Sequence, residues 1–278
     1  MRNLVLILTK LFFLTVSSGC ESGNTTDSEI DPEPPVSEYP KTESTSIKSN
    51  SVYDNYTYPV EIYLPKSYET NNNLPIIYVL DGKMTFELVI SAIPNSTDAI
   101  VVAFGNLALK KQWARRWEDL MPEEIDCHNV TGKHQDFYDF ITKELIPYID
   151  NTYNNDNTSR TLLGHSSAGL FTLVTMFAED TENVTFKNFI AGDPELACNP
   201  TYFDGMLNDN DFPAVDEKFK FYLALSGDGD TDAVRQFSDD IIAKEYPWLT
   251  YKYEEFLNES HLGVRDELFA SALKFVFE

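Results

Sequence analysis

The sequence predicts an α/β fold with a mostly parallel central sheet, and two patterns support this prediction. Continuous apolar runs at residues 74–80 and 99–104 are typical of strands that are buried on both faces of a parallel sheet. Stretches with helical spacing of apolar residues alternate with such runs, which implies parallel strands joined by right-handed crossovers. The chain has 278 residues, 42% of them hydrophobic, which is enough for one such domain with a leader and a linker.

The first twenty residues have the features of an export signal. Arg2 gives a basic start, residues 4–16 are mostly apolar, and small residues precede Cys20. The apolar stretch is short for a spanning helix and suits a signal peptide. Because a cysteine directly after small residues resembles a bacterial lipoprotein signal, we expect an exported protein, periplasmic or at the cell surface, that is lipid-anchored at Cys20. Ordinary secretion with cleavage nearby is the alternative.

Residues 21–46 predict a disordered linker, since they are rich in Ser, Thr, Pro and acidic residues and nearly lack large apolar ones. The folded domain is expected to span residues 47–278. It opens with residues 47–52 and 58–64, where partial alternation of β-branched and aromatic residues predicts an antiparallel pair.

The remaining elements follow in order, with no internal repeat and no second domain boundary. Strands are predicted at residues 74–80, 99–104, 160–163, 189–191, 219–225 and 251–256. Helices are predicted at residues 86–93, 136–153, 169–178, 233–244 and 265–277.

The third of these strands runs into the sequence Gly164-His165-Ser166-Ser167-Ala168, which has the pattern of a nucleophile elbow. In such an elbow a serine stands at the apex of a tight strand-to-helix turn, and small neighbours allow the close approach of strand and helix. The usual final glycine of the pattern is replaced by Ala168. Ser166 is therefore the candidate nucleophile, since Ser167 would break the spacing from Gly164.

A serine nucleophile needs a base and an acid that orients the base. In the α/β-hydrolases that carry such an elbow, the acid follows the serine in the chain and the histidine comes last. His261 is the single histidine downstream of Ser166, so it is the candidate base. We expect Asp230 to be the acid and Asp228 to be the alternative, because both follow the strand at 219–225. A calcium loop formed by Asp228, Asp230, Asp232 and Asp239 is a competing interpretation of this segment.

The oxyanion hole of such a site needs two backbone amides. We expect Ser167 to supply one and Lys83, after Asp81-Gly82, to supply the other. His165 is expected to pack beside the site rather than to act as a base. No metal or organic cofactor is expected, and the four histidines and three cysteines do not have the spacing of a structural zinc site.

Composition restricts the partners of this protein. The formal net charge of −24 would repel nucleic acid and anionic membrane surfaces, so we expect contact with a membrane only through the lipid anchor. Export would allow Cys127 and Cys198 to form a disulfide, and two free buried thiols are the alternative.

The chain also resembles the esterase D-type branch of the α/β-hydrolases, which includes siderophore (enterobactin-type) esterases and carbohydrate feruloyl or acetyl esterases. The resemblance covers most of residues 47–278. Its motifs are Tyr63-Leu64-Pro65-Lys66-Ser67-Tyr68, the run at 74–82, Asn106, Arg115-Arg116-Trp117-Glu118-Asp119, the segment 140–149, the elbow and Glu259-Ser260-His261. It implies an α/β-hydrolase fold with Ser166, His261 and Asp230 as a triad. It also implies that Arg115 and Arg116 lie near the substrate. The family's Ser-Pro-Ser after the elbow helix is replaced here by Asp193-Pro194-Glu195.

Together these features predict a serine esterase that acts on a small-molecule or glycan ester, such as a siderophore or an acylated carbohydrate. The alternative is a non-catalytic ligand-binding protein on the same scaffold, since a fold does not determine function. The sequence does not specify the acyl group, the alcohol or the oligomeric state.

Overall fold

A computed structural model describes residues 39–52, 55–105, 113–125, 127–178, 184–209 and 218–278. Cys20, the leader and most of the expected linker lie outside these residues, as does Asn106. None of the described helices is long and apolar enough to cross a membrane.

The fold is built on an eight-stranded sheet in the order β1-β2-β4-β3-β5-β6-β7-β8. The β1–β2 and β2–β4 pairs are antiparallel, and every other pair is parallel. The strands are β1 (Lys41–Lys48), β2 (Thr57–Leu64), β3 (Ile76–Val79), β4 (Ile100–Phe104), β5 (Arg160–His165), β6 (Asn188–Gly192), β7 (Phe219–Ser226) and β8 (Leu249–Phe256). This order is that of the α/β-hydrolase fold predicted from the sequence.

Helices cover both faces of the sheet because its central strands are apolar on both sides. They are α1 (Gly82–Ala92), α2 (Trp113–Leu120), α3 (His134–Phe140), α4 (Ile146–Thr152), α5 (Ser167–Ala178), α6 (Pro200–Asp209), α7 (Thr231–Lys244) and α8 (Arg265–Phe277). A π-helical turn, Ile141–Leu145, joins α3 to α4, and a short 3₁₀ turn, Leu196–Cys198, precedes α6.

The two faces of the sheet carry two separate apolar clusters. In β3, Ile76 and Tyr78 belong to one cluster, whereas Ile77 and Val79 belong to the other, as the period of two in a strand requires. The second cluster includes Phe86 of α1 and Leu268 of α8. Burial of each such large side chain stabilises the fold by about 1.5–3 kcal/mol.

Two parts of the fold differ from the sequence-based expectation. The first strand lies at Lys41–Lys48 and pairs along its length with β2, so residues 41–46 of the expected linker are strand and residues 49–52 of the expected first strand are not. This edge strand alternates between half-buried and exposed residues and needs no large apolar side chains. Its polar composition therefore gave no sign of a strand. The helices α2 and α6 were also not predicted. In α2 two of the three buried positions are the charged residues Arg116 and Asp119, and the third is Leu120, so burial does not follow hydrophobicity.

Candidate active site

The predicted nucleophile elbow is present at the end of β5. Ser166 lies between β5 and α5 with a left-handed φ of 63°, a conformation that is strained for a serine. A Cβ atom on Gly164 would lie 2.1 Å from the carbonyl oxygen of Ala168, and one on Gly169 would lie 2.7 Å from that of Gly192. Glycine is therefore required at 164 and 169. The motif's last position tolerates Ala168, which is fully buried.

His261 lies in the loop between β8 and α8, and its partner is Asp193. The distance from His261 Nδ1 to Asp193 Oδ2 is 2.5 Å. This hydrogen bond raises the pKa of His261, an effect that desolvation of the ring opposes. Burial alone would raise the pKa of Asp193, but hydrogen bonds from His261 and Ser226 outweigh it and lower the pKa. The pair thus consists of an ionised, buried carboxylate that orients an imidazole, which is the arrangement a general base requires.

Asp193 reaches His261 because of the turn that follows β6. Its φ is 45°, and its own amide donates to the carbonyl oxygen of Ala224 at 2.8 Å. The carboxylate accepts hydrogen bonds from the amide and the hydroxyl of Ser226, at the end of β7. With 1% of its surface exposed, Asp193 is held on several sides by the sheet edge.

The expectation that Asp230 is the partner of His261 is wrong. Asp230 lies at the start of α7, where it accepts a hydrogen bond from the amide of Ala197 at 2.9 Å. The alternative, Asp228, accepts a hydrogen bond from the backbone amide of His261 and so holds the loop rather than the imidazole. The four residues of the calcium interpretation do not form one loop, since Asp232 and Asp239 belong to α7 and Asp228 and Asp230 accept hydrogen bonds from the amides of His261 and Ala197.

The two predicted substrate-binding arginines have different surroundings. Arg115 donates to the Tyr58 hydroxyl at 2.8 Å and pairs with Asp119, so its guanidinium belongs to a largely buried network, and its contact with substrate stays a prediction. Arg116 does reach the elbow, where its Nη1 donates to Ser167 Oγ at 2.8 Å. Its remaining donors form a bidentate pair with Asp81, at 2.8 and 2.6 Å.

A second carboxylate, Glu195, contacts Ser166, the candidate nucleophile. Among the described side chains, the acceptor of the Ser166 hydroxyl is Glu195 Oε1, at 2.9 Å, and Ser167 Oγ donates to Glu195 Oε2 at 2.8 Å. His128 Nε2 lies 3.0 Å from Oε2, and its ring stacks on Trp117 with centroids 4.0 Å apart. Sequence reasoning noted the change at this position but did not assign Glu195 a role.

A disulfide ties together the two segments that carry these groups. Cys127 and Cys198 are bonded, with their Cα atoms 5.5 Å apart. The first is next to His128 in the chain, and the second follows Glu195 by three residues. Of the two alternatives left open by the sequence, the structure therefore has the bonded pair.

The residues expected to form the oxyanion hole lie at helix starts. Ser167 is the first residue of α5, and Lys83 is the second residue of α1. Amides in the first turn of a helix lack intrahelical acceptors and can bind an anion. Both helices begin at the carboxyl edge of the sheet. The assignment of these two amides to the oxyanion remains a prediction.

His165 packs beside His261, as expected. The two ring centroids are 4.6 Å apart, and burial lowers the pKa of His165 to about 3, so this ring is neutral. Its Nε2 is buried without a hydrogen-bond partner among the described residues. In that part of the chain, the donor atoms of His165, Asp193 and His261 lie within 4.8 Å of one another, the spacing of a possible metal site. The hydrogen bond between Asp193 and His261 already accounts for two of these three residues.

Comparison with known proteins finds similar chains. The family model described as Putative esterase matches residues 49–182. The ferri-bacillibactin esterase BesA of Bacillus subtilis is 25% identical over 267 residues, covering 85% of this chain and 89% of BesA. A solved structure of the BES protein from Bacillus cereus has a TM-score of 0.73 and 23% identity, covering 84% of this chain and 95% of that one. The structure of the enterobactin and salmochelin hydrolase IroE has a TM-score of 0.66 and 19% identity, covering 85% and 95%.

The residues matched by the family model include β2 to β5 and α5. The two solved structures are less than 25% identical to this chain, so they support the fold. The family model includes the elbow itself, with Ser166 inside the matched residues. Residues 49–182 are thus similar to the Putative esterase family, and the chain is an esterase with the α/β-hydrolase fold.

Proposed function

We propose that this protein hydrolyses carboxylic esters through Ser166, His261 and Asp193, with an acyl-enzyme intermediate. The observation that carries the proposal is the 2.5 Å hydrogen bond between His261 Nδ1 and Asp193 Oδ2, beside a serine in a strained elbow. This arrangement supplies a nucleophile, a base and an acid in the chain order of the fold.

In the first half-reaction the Ser166 hydroxyl turns from Glu195 toward His261. Oxygen attacks the ester carbonyl while the imidazole takes the proton, and Asp193 stabilises the imidazolium that forms. The amides of Ser167 and Lys83 bind the developing oxyanion. The imidazolium then protonates the leaving alcohol. In the second half-reaction His261 takes a proton from water, which attacks the acyl-enzyme and releases the carboxylic acid and the Ser166 hydroxyl.

We propose a siderophore ester as the natural substrate class, with an acylated carbohydrate as the alternative. The named relatives support this choice, since BesA is a ferri-bacillibactin esterase and IroE is an enterobactin and salmochelin hydrolase. Export and a lipid anchor at Cys20 remain part of the proposal.

The first experiment measures hydrolysis of short-chain p-nitrophenyl esters by the purified protein and by Ser166→Ala. We expect loss of nearly all turnover in the variant, with the circular dichroism spectrum and melting temperature retained. Labelling with a fluorophosphonate and mapping of the modified peptide should place the adduct on Ser166. A Ser167→Ala variant is the matched control, because it keeps the backbone amide and should still be labelled.

Turnover that is unchanged in Ser166→Ala, or an adduct on Ser167, would contradict the mechanism. A folded wild-type protein with neither turnover nor labelling would favour the ligand-binding alternative.

A further inference from the structure

The Glu195 carboxylate has a position at the nucleophile that the triad does not require. It accepts hydrogen bonds from the hydroxyls of Ser166 and Ser167 at 2.9 and 2.8 Å. It therefore occupies the space beside the atom that must attack the substrate. Asp193 already orients His261, so a second carboxylate here has a different task.

The site holds this carboxylate in its charged form. Burial alone would raise the pKa of Glu195, but hydrogen bonds from His128, Ser167 and Ser166 outweigh this effect and lower the pKa. The nearby Arg116 attracts this charge, but its bidentate pair is with Asp81, and Ser167 Oγ lies between its Nη1 and the Glu195 carboxylate. The Glu195 side chain is 25% exposed, so an entering substrate can reach it.

A fixed negative charge next to Ser166 would oppose the oxyanion unless the substrate supplies a compensating group. The reacting carbonyl carbon must come within about 3.5 Å of Ser166 Oγ, and Glu195 Oε1 is 2.9 Å from the same atom. A substituent on the carbon next to the carbonyl would then replace the serine hydroxyls as the partner of the carboxylate.

We infer that Glu195 is a specificity-determining carboxylate that binds a cationic or hydrogen-bond-donating group next to the scissile carbonyl. This inference rests on the proposed function and specifies its substrate class further. Esters with an α-ammonium, α-amino or α-hydroxyl group on the acyl side would be preferred, and acyl groups that carry a carboxylate there would be rejected. The rejection follows from two like charges in a partly desolvated site.

The scaffold around Glu195 fits a recognition site. Trp117 stacks on His128, which lies 3.0 Å from the carboxylate, and the Cys127–Cys198 disulfide joins the two segments. A recognition group must be held in place before binding, because ordering it during binding would reduce the affinity.

The experiment compares two phenyl esters of nearly equal shape. The acyl groups are trimethylammonioacetyl, which carries a positive charge, and 3,3-dimethylbutanoyl, in which carbon replaces nitrogen. The phenyl ester of malonic acid adds a negative charge. Each kcat/KM is divided by the rate of hydroxide hydrolysis of the same ester, which removes differences in intrinsic reactivity.

We expect the wild-type protein to favour the cationic over the neutral ester by about tenfold or more in this normalised kcat/KM. The Glu195→Gln variant should bring the ratio close to one and should relieve the rejection of the malonyl ester. Glu123→Gln is the matched control, because it removes one negative charge from an exposed position and should keep the wild-type ratio.

Using ratios cancels any general loss of activity in a variant. A ratio that is the same in wild type and Glu195→Gln would overturn the inference, including the case in which all three esters slow equally and Glu195 merely positions Ser166. The proposed function is tested separately, because its failure would appear as serine-independent turnover in Ser166→Ala with every ester.

Discussion

The loops that follow β6 and β7 both offer carboxylates to the same edge of the sheet, yet they do different work. The loop after β6, residues 193–195, places Asp193 on the imidazole of His261 and Glu195 on Ser166. The loop after β7, residues 227–230, places Asp228 on the His261 backbone and Asp230 on Ala197. The β6 loop thus contacts the Ser166 and His261 side chains of the proposed triad, whereas the β7 loop contacts backbone amides beside them.

Burial explains the division. Asp193 is 1% exposed, and hydrogen bonds from Ser226 and His261 surround its carboxylate. Asp228 and Asp230 lie in a turn whose side chains remain accessible to water. A buried carboxylate with specific partners interacts with an imidazole more strongly than a solvated one, because water screens the charge of the latter.

The largest effect is expected from exchanging the acids for amides. Asp193→Asn should reduce kcat/KM by about 10³–10⁴-fold, because asparagine cannot stabilise the imidazolium and favours the wrong tautomer. Asp230→Asn should change kcat/KM by less than about threefold, since it changes only a contact to Ala197. Steady-state kinetics on one p-nitrophenyl ester measures both. A larger loss in Asp230→Asn than in Asp193→Asn would reverse the comparison.

A smaller effect is expected where the two loops touch. A Cβ atom on Gly229 would lie 2.1 Å from Asp193 Oδ1, and that carboxylate is held by its hydrogen bonds. Gly229→Ala should therefore displace Asp193 and lower kcat by about 10- to 100-fold. Gly205→Ala is the control, because its added methyl group meets no atom within 4 Å. Equal activity in the two variants would show that the β7 loop moves aside freely.

The pH dependence should separate the loops further. Activity needs the neutral imidazole, so kcat/KM should rise with pH through the pKa of His261, which the Asp193 hydrogen bond raises above 6.5. Asp193→Asn should move this midpoint to lower pH, and Asp230→Asn should leave it in place. A pH–rate profile from about pH 5 to about pH 9 measures both midpoints.

The same pKa shift predicts a change in stability. Because folding raises the pKa of His261, the bound proton stabilises the fold fully below the unfolded pKa of about 6.5. That contribution is lost as pH rises through the folded pKa. Urea denaturation gives the free energy of unfolding of wild type and of Asp193→Asn. The difference between the two should be larger near pH 5 than near pH 9. A difference that grows with pH would contradict the assigned pair.

The smallest effect is expected from Asp228 in the loop after β7. Asp228→Ala removes the acceptor of the His261 backbone amide and should lower the free energy of unfolding by about 1 kcal/mol. Urea denaturation measures this loss, with Asp232→Ala in the first turn of α7 as a comparison. No loss in Asp228→Ala would mean that the amide is equally well satisfied by water.

The sequence predicted the parts of this molecule that depend on local patterns. The apolar runs identified the central strands, and the spacing around Ser166 identified the elbow, because strand burial and the tight turn each involve neighbouring residues. His261 was found by its position after the last strand. Arg116 was placed near the substrate by family resemblance, and the structure brings it to the elbow through Ser167.

The acid could not be predicted in the same way, since Asp193 and His261 are 68 residues apart in sequence. Whether the β6 or the β7 loop reaches the imidazole depends on the left-handed turn at Asp193 and on the Ser226 amide and hydroxyl, which donate to the Asp193 carboxylate. The available signal was Gly192-Asp193-Pro194 directly after an apolar strand, which also satisfies the chain order of the triad. The partner of Arg115 was not predictable for the same reason, because Tyr58 comes from a distant strand.

The disulfide has a mechanical consequence. It links residues 71 apart in sequence, and this covalent ring contains Ser166, Asp193 and Glu195 but not His261. If the unfolded chain were stretched from its ends, the tension would pass through the sulfur bridge and bypass the ring. The extended length would be shorter by about 250 Å at roughly 3.5 Å per residue. The nucleophile and both carboxylates thus lie on a segment that bears no pulling force, while the histidine lies on one that does.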